Sequence, residues 1–154
     1  MASSVRVVLL NTDLNYAVEL RNELLEVHGL KIVAEVDDPA MLLQAVQQFR
    51  CDLAILQLDP QPEVILAVAE TVIAKNPTLP MIAISGNCDT ALILKAMRAG
   101  MREYLERPPD LDRLQDVVGK VASSKDASAG QGQLVTVVGS AGGVGATLVA
   151  TNLA

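Results

Sequence analysis

The run Leu53-Ala54-Ile55-Leu56-Gln57-Leu58 constrains this chain more than any other stretch. Cys51-Asp52 precedes it and Asp59-Pro60 ends it. So short and so apolar a run, bounded by an acid and a turn signal, reads as a central strand buried on both faces. Such a strand belongs inside an open parallel sheet with helices on either side. There the carboxyl ends of the strands are where ligands and chemistry collect, and the residue at this tip is Gln57.

The rest of the chain supplies the sheet that this strand needs. Val5 to Leu10 is a β-branched apolar run that ends in Asn11-Thr12-Asp13. Ala17, Leu20, Leu24 and Val27 then recur at the spacing of one helical face, and His28-Gly29 closes the helix with a residue able to take the left-handed cap. Lys31 to Val36 is a second strand, and Asp38 before Pro39 marks a helix start whose apolar face is Leu42, Leu43, Val46 and Phe49. After the central strand, a helix is expected from about Glu63 to Lys75, stopped by Asn76-Pro77. Met81 to Ser85 is the fourth strand, Asp89 caps a helix that runs to Ala99, and Gly100 stops it. Arg102 to Leu105 is the fifth strand, ended by Arg107-Pro108-Pro109, and Leu111, Leu114, Val118 and Val121 give the last helix its face. Strands alternating with helices in this way predict an α/β fold, a doubly wound five-stranded parallel sheet of flavodoxin-like order.

A second organisation begins after residue 122. Ser123 to Gln133 is small, polar and glycine-containing, the composition of a flexible linker. Leu134 to Val138 then reads as a new strand, followed by the glycine loop Gly139-Ser140-Ala141-Gly142-Gly143-Val144-Gly145-Ala146-Thr147 and an apolar helix start. The expected domains are therefore 1–122, a linker at 123–133, and the first unit of another α/β domain at 134–154, as in a piece of a longer protein.

Composition excludes several function classes. Apolar residues make up 51% of the 154, enough for a buried core, yet aromatics are only 2%, so that core is aliphatic. A net charge of −6 and so few rings argue against a nucleic-acid surface, which needs clustered Lys and Arg or stacking platforms. Cys51 and Cys88 lack the spacing of a zinc site or disulfide framework and read as reduced thiols. No signal peptide opens the sequence, and no apolar run approaches the roughly 18 residues of a membrane span, which reads as a cytoplasmic protein.

Residues from about Val5 to Ala122 resemble the receiver domain of response regulators. In that family an acidic pair follows strand one, the third strand ends in a phosphoaccepting aspartate, strand four ends in Ser or Thr, and a Lys-Pro closes strand five. Here Asn11-Thr12-Asp13 keeps one carboxylate of the pair, Gln57 stands at the acceptor, Ser85 matches, and Arg107 replaces the lysine ahead of Pro108. A receiver needs a carboxylate nucleophile and a Mg²⁺ held by carboxylates. An amide supplies neither nucleophile nor charge, so Asp13, Gln57, Ser85 and Arg107 mark a degenerate site with no metal and no catalytic residue. Asp59 reads as a loop acid rather than a substitute acceptor, Ser85 as a strand-end hydroxyl bonded to backbone, and Arg107 as a partner for Asp13 or Asp59 or else exposed.

What the resemblance leaves usable is surface. In receivers the face formed by helix four, strand five and helix five pairs with another copy. Helix four here, Ala91-Leu92-Ile93-Leu94-Lys95-Ala96-Met97, is apolar on more sides than one stripe requires. A homodimer interface is therefore expected at Leu92, Leu94, Met97, Tyr104 and Leu114.

The glycine loop resembles the phosphate loop of MinD/ParA-type ATPases. Gly142, Gly143 and Gly145 would let backbone N–H groups approach phosphates, and Thr147 matches the Mg²⁺ hydroxyl. In the full-length protein these residues would bind ATP and Mg²⁺; the chain by itself is expected to hold no cofactor and to be no enzyme. Ala141 and Ala146 stand at both lysine positions, which weakens phosphate binding and hydrolysis. A damaged receiver joined to such a loop resembles the TadZ/CpaE family of pilus assembly proteins of tight-adherence (Flp) pili. That resemblance implies a bacterial factor that dimerises, meets the pilus secretion machinery and places it at a cell pole. The alternatives are a working phosphorelay receiver and an ATPase.

Overall fold

The computed structural model describes residues 4–134, with side chains described as far as residue 124. Strands β1 (Val5–Asn11), β2 (Leu30–Val36), β3 (Leu53–Gln57), β4 (Met81–Ser85) and β5 (Glu103–Glu106) form one sheet. Helices α1 (Ala17–Leu25), α2 (Leu42–Phe49), α3 (Pro62–Lys75), α4 (Thr90–Arg98) and α5 (Leu111–Leu134) alternate with them, and a 3-10 turn at Pro39–Met41 leads into α2. The order across the sheet is β2-β1-β3-β4-β5, and every neighbouring pair is parallel. This is the doubly wound arrangement that the alternating pattern predicts, with the run at Leu53–Gln57 in the central strand.

Alternation divides the core into two layers. Val8, Leu10, Ala54, Leu56 and Ala83 form one buried cluster with Leu42 and Val46 of α2, Ile65, Ala69 and Val72 of α3, and Leu92 and Ala96 of α4. The intervening residues Val7, Leu9, Leu53, Ile55, Ile82 and Ile84 are also fully buried, on the face covered by Leu20 and Leu24 of α1 and Leu114 and Val118 of α5. Each buried Leu or Ile contributes roughly 1.5–3 kcal/mol relative to exposure, and β3 is buried at every position.

The helix boundaries follow their punctuation only in part: α1 ends at Leu25, ahead of His28-Gly29, and Asp89 precedes α4 without a side-chain cap hydrogen bond. Asp38 caps the 3-10 turn by accepting from the Ala40 N–H at 3.0 Å. Gly29 and Gly100 hold φ of +83° and +110°, where a side chain would be strained. At Gly100 a Cβ would also lie 3.0 Å from Ile73 Cγ1, so this turn packs directly on α3.

Contacts divide the chain into a compact unit, Met1–Val121, and a second unit, Ala122–Ala154. The segment 123–133, expected as a flexible linker, has helical backbone as the continuation of α5 to Leu134. It holds no proline and only the glycines Gly130 and Gly132, so nothing in it stops a helix already anchored by Leu114 and Val118. Its composition therefore does not by itself separate a coil from a semi-rigid helical spacer. Gly142, Gly143, Gly145 and Thr147 of the glycine loop, with Ala141 and Ala146, lie outside the described residues.

Candidate functional site

The parallel order brings the carboxyl ends of β1, β3, β4 and β5 together, and the predicted site residues meet there. Asn11 and Gln57 are register partners at the tips of β1 and β3. Gln57 is fully buried, and both ends of its amide are engaged. Its Nε2 donates to Asn11 Oδ1 at 3.1 Å and to the Asp59 carbonyl at 2.9 Å, while its Oε1 accepts from the Asp59 N–H at 2.7 Å. Gln57 thus closes a ring of hydrogen bonds with the backbone two residues on. A carboxylate could accept from that N–H but could not donate to the two oxygens. Asn11 Oδ1 also accepts from the Asp13 N–H at 3.0 Å, and Asn11 Nδ2 is buried without a protein partner.

Asp59 lies in the turn after β3, a loop acid as its place beyond the strand implies, and its carboxylate is the centre of the site. One carboxylate oxygen accepts from Ser85 Oγ at 2.8 Å, and the other accepts from the Gly86 N–H at 2.7 Å. Arg107 Nε lies 3.6 Å from the second oxygen, and Arg107 Nη1 lies 3.0 Å from Asp13 Oδ2. The two partners proposed for Arg107 are therefore both real, and the guanidinium joins them. Its Cζ also sits 4.5 Å from the centroid of the Tyr16 ring, a stacked cation–π contact. A lysine could form neither the fork nor the stack as well, so its replacement by arginine changes what this position does.

Ser85 is the strand-end hydroxyl expected, accepting from the Asn87 backbone N–H at 3.0 Å, and it also donates to Asp59, a partner that was not expected. The Asn87 carbonyl in turn accepts from the Tyr104 hydroxyl, so one chain of hydrogen bonds runs from Asp59 to β5. Tyr16 donates to Glu23 Oε1 at 2.9 Å; its burial, then that hydrogen bond to a carboxylate, push its phenol well above the ordinary tyrosine range. Burial also raises the Tyr104 phenol. An open groove of about 320 Å³ lies beside this network, lined by Asp13, Asn15, Tyr16, Glu19, Arg107 and Pro108.

The receiver resemblance implies Mg²⁺, and the residues present do not fit it. One carboxylate of the expected pair is Asn11, and the acceptor is an amide. The two carboxylates that remain nearby, Asp13 and Asp59, are already bridged by a guanidinium. No group of three or more His, Cys, Asp or Glu placed to hold a metal occurs among the described residues.

The expected interface residues separate into two classes. Leu94 and Met97 are 49% and 41% exposed on α4. Leu92, Tyr104 and Leu114 are buried and cannot form an outer face. The reason is helical phase: Leu92 and Ala96, four apart, point at the sheet, and Leu94 lies on the opposite side of the helix. Tyr104 belongs to the α2–α4 core cluster, and Leu114 holds α5 to the sheet. The apolar surface not anticipated lies at the other end of the chain, where Leu14, Val18 and Leu25 are 72%, 62% and 60% exposed. Part of the signal was present: Val18 and Leu25 fall off the Ala17-Leu20-Leu24 face of α1, whereas Leu14 lies in the turn before the helix. Among the described residues no helix is long and apolar enough to cross a membrane.

Known proteins share this architecture. The family model of the response regulator receiver domain matches residues 8–119. The transcriptional regulatory protein ZraR of Salmonella typhimurium is 29% identical over 70 residues, 46% of this chain but only 15% of that protein. The chain thus spans a small part of the length of that curated relative. A pilus assembly-related protein from Burkholderia pseudomallei, so assigned provisionally, superposes with a TM-score of 0.70 at 18% identity, over 80% of this chain and 92% of that one. A provisionally assigned pilus assembly protein (cpaE) from Burkholderia thailandensis gives 0.68 at 21% identity, over 77% and 98%. At these identities the structures establish a shared fold.

Proposed function

Because the chain belongs to the response regulator receiver domain family, we propose that its first domain is a receiver that does not take up a phosphoryl group and acts as an interaction and dimerisation module. The observation that carries this reading is Gln57, a fully buried amide at the acceptor position with its donors and acceptor engaged. Exposure to acetyl phosphate and Mg²⁺ tests it: the mass of the intact protein should not change. A gain of one phosphoryl group, above all if mapped to Asp59, would favour a working phosphorelay receiver instead.

The wider role follows from the pairing of this domain with the Gly142-Gly143-Val144-Gly145-Ala146-Thr147 loop, which resembles TadZ/CpaE proteins of Flp pili. The likeness of the fold to two Burkholderia proteins provisionally assigned to pilus assembly supports the same direction. In this reading the full-length protein is cytoplasmic, gathers at a cell pole and positions the pilus secretion machinery. A fluorescent fusion in the native host should form polar foci; uniform fluorescence would remove the localising role. The glycine loop would bind ATP with Mg²⁺ only weakly, because Ala141 and Ala146 replace both lysines. Nucleotide affinity of the full-length protein, with Ala146→Lys as the gain-of-function comparison, tests that part.

For dimerisation, the α4–β5–α5 face offers exposed Leu94 and Met97 bordered by Lys95 and Arg98, with Glu106, Asp112 and Asp116 exposed on the neighbouring elements. A two-fold axis through such a face sets the basic helix of one copy against the acidic edge of the other. Sedimentation at high protein concentration should show a dimer. A monomer throughout would remove self-association, and a dimer broken by Val18→Asp but not by Leu94→Asp would move the contact to α1.

A further inference from the structure

We infer that the ends of β4 and β5 form an oxyanion cradle whose occupant is supplied by the chain itself, the carboxylate of Asp59, so that the cradle is closed to external phosphate. Its donors come from different parts of the fold and converge on one group. Ser85 Oγ, 2.8 Å away, binds one carboxylate oxygen; the Gly86 N–H at 2.7 Å and the Arg107 guanidinium at 3.6 Å face the other. A hydroxyl, a backbone N–H and a guanidinium around one small anion are the donor types that proteins use for phosphate and sulfate. Gly86 leaves room for the guanidinium: a Cβ there would lie 3.2 Å from Arg107 Nε, a tight contact, and 3.5 Å from Asp59 Oδ2, an ordinary one.

The placement of Asp59 is over-determined, which suits a resident occupant better than a chance contact. The Gln57 amide ring grips both the N–H and the carbonyl of Asp59, and Thr12 Oγ1 donates to that carbonyl at 3.1 Å. The backbone is thus held from β1 and β3 while the side chain is held from β4 and β5. Gln57 therefore does more than fail as a nucleophile, because its side-chain hydrogen bonds turn Asp59 back over the sheet. This inference stands apart from the pilus and dimerisation roles, and its failure would leave them untouched.

The test is titration of the chain with inorganic phosphate, read at the Gly86 amide by NMR, for wild type, Asp59→Gly and Asp59→Ala. Circular dichroism and thermal unfolding establish that each is folded. Wild type should show no saturable shift. The Asp59 variants should bind phosphate about tenfold or more tightly than wild type, and adding Ser85→Ala should reverse the gain. Equal phosphate binding by wild type would overturn the inference, as would folded variants that show no saturable shift. If Asp59→Gly does not fold, Asp59→Ala decides, since the methyl group avoids the backbone freedom of glycine and still empties the cradle. If neither folds, Asp59 is a structural anchor rather than a removable occupant, and the inference falls.

Discussion

The carboxyl end of the sheet and the outer side of α4 are built on opposite terms. At the strand tips, Gln57, Asp59, Ser85 and Arg107 answer one another, and apart from Asn11 Nδ2 no buried side-chain polar atom among the described residues is left without a partner. On α4, Leu94 and Met97 present apolar area to water, uncovered by any of the described residues. A buried polar group costs about 1–3 kcal/mol when its partner is removed, so a site in which each group satisfies the next is stiff and offers little to a newcomer. Exposed apolar side chains carry no such commitment and gain from being covered. The difference teaches where to look for function in a receiver with this strand tip, on the helices rather than in the site.

Substitutions can break or sharpen that contrast. The largest effect is expected within α4 itself. Leu92→Asp, two residues from the proposed contact, should cost about 3–5 kcal/mol or abolish folding, because it buries an unpaired charge. Leu94→Asp should change stability by less than about 0.5 kcal/mol while weakening self-association. Urea unfolding and sedimentation of the two variants measure both halves, and equal destabilisation would contradict the helical phase described above.

At the strand tips, Gln57→Ala should cost about 2–3 kcal/mol in urea unfolding, since it orphans the Asp59 N–H and removes the donor to Asn11 and the Asp59 carbonyl. A neutral result would mean that water replaces the amide, and that the tip is less sealed than its burial implies.

A smaller loss, about 1–2 kcal/mol, is expected for Arg107→Ala, which leaves Asp13 and Asp59 without the cation between them. Added salt should shrink the difference from wild type by screening that repulsion. Arg107→Lys should fall between the two, keeping the charge and losing the stack on Tyr16.

The mildest probe is alkaline titration. The folded phenol of Tyr16 ionises above the ordinary value of 10.0. From about pH 10 upward the unfolded chain therefore releases a proton that the folded chain keeps, and stability falls as pH rises. Below pH 10 both states hold the proton and this group contributes no pH dependence. Tyr16→Phe should flatten the alkaline decline. With Tyr16 and Tyr104 the only tyrosines and no tryptophan, absorbance near 295 nm should show both ionising late.

The fold was legible because its strands are continuous apolar runs punctuated by Gly, Pro and caps. Met81–Ser85 coincides with its element to the residue, and β3 is buried at every position, as a central strand must be. Asp13, Gln57, Ser85 and Arg107 were legible as site positions because each falls on a position of the receiver pattern. Asp59 was not. Beyond its strand and before a proline, it has no periodicity that says which way its side chain turns. Asn11 was legible only as a missing acid. Its pairing with Gln57 depends on the register of β1 against β3, which a single strand does not contain.

Local pattern, then, decided the elements, their order and the loss of the acceptor carboxylate, since apolar period, caps and residue identity are properties of short stretches. Tertiary structure alone decided that Gln57 meets Asn11 and that Asp59 fills the space between Ser85, Gly86 and Arg107. The physical reason is range: hydrogen bonds and ion pairs act over about 3 Å between groups that lie dozens of residues apart, so only the packed sheet settles which of them meet.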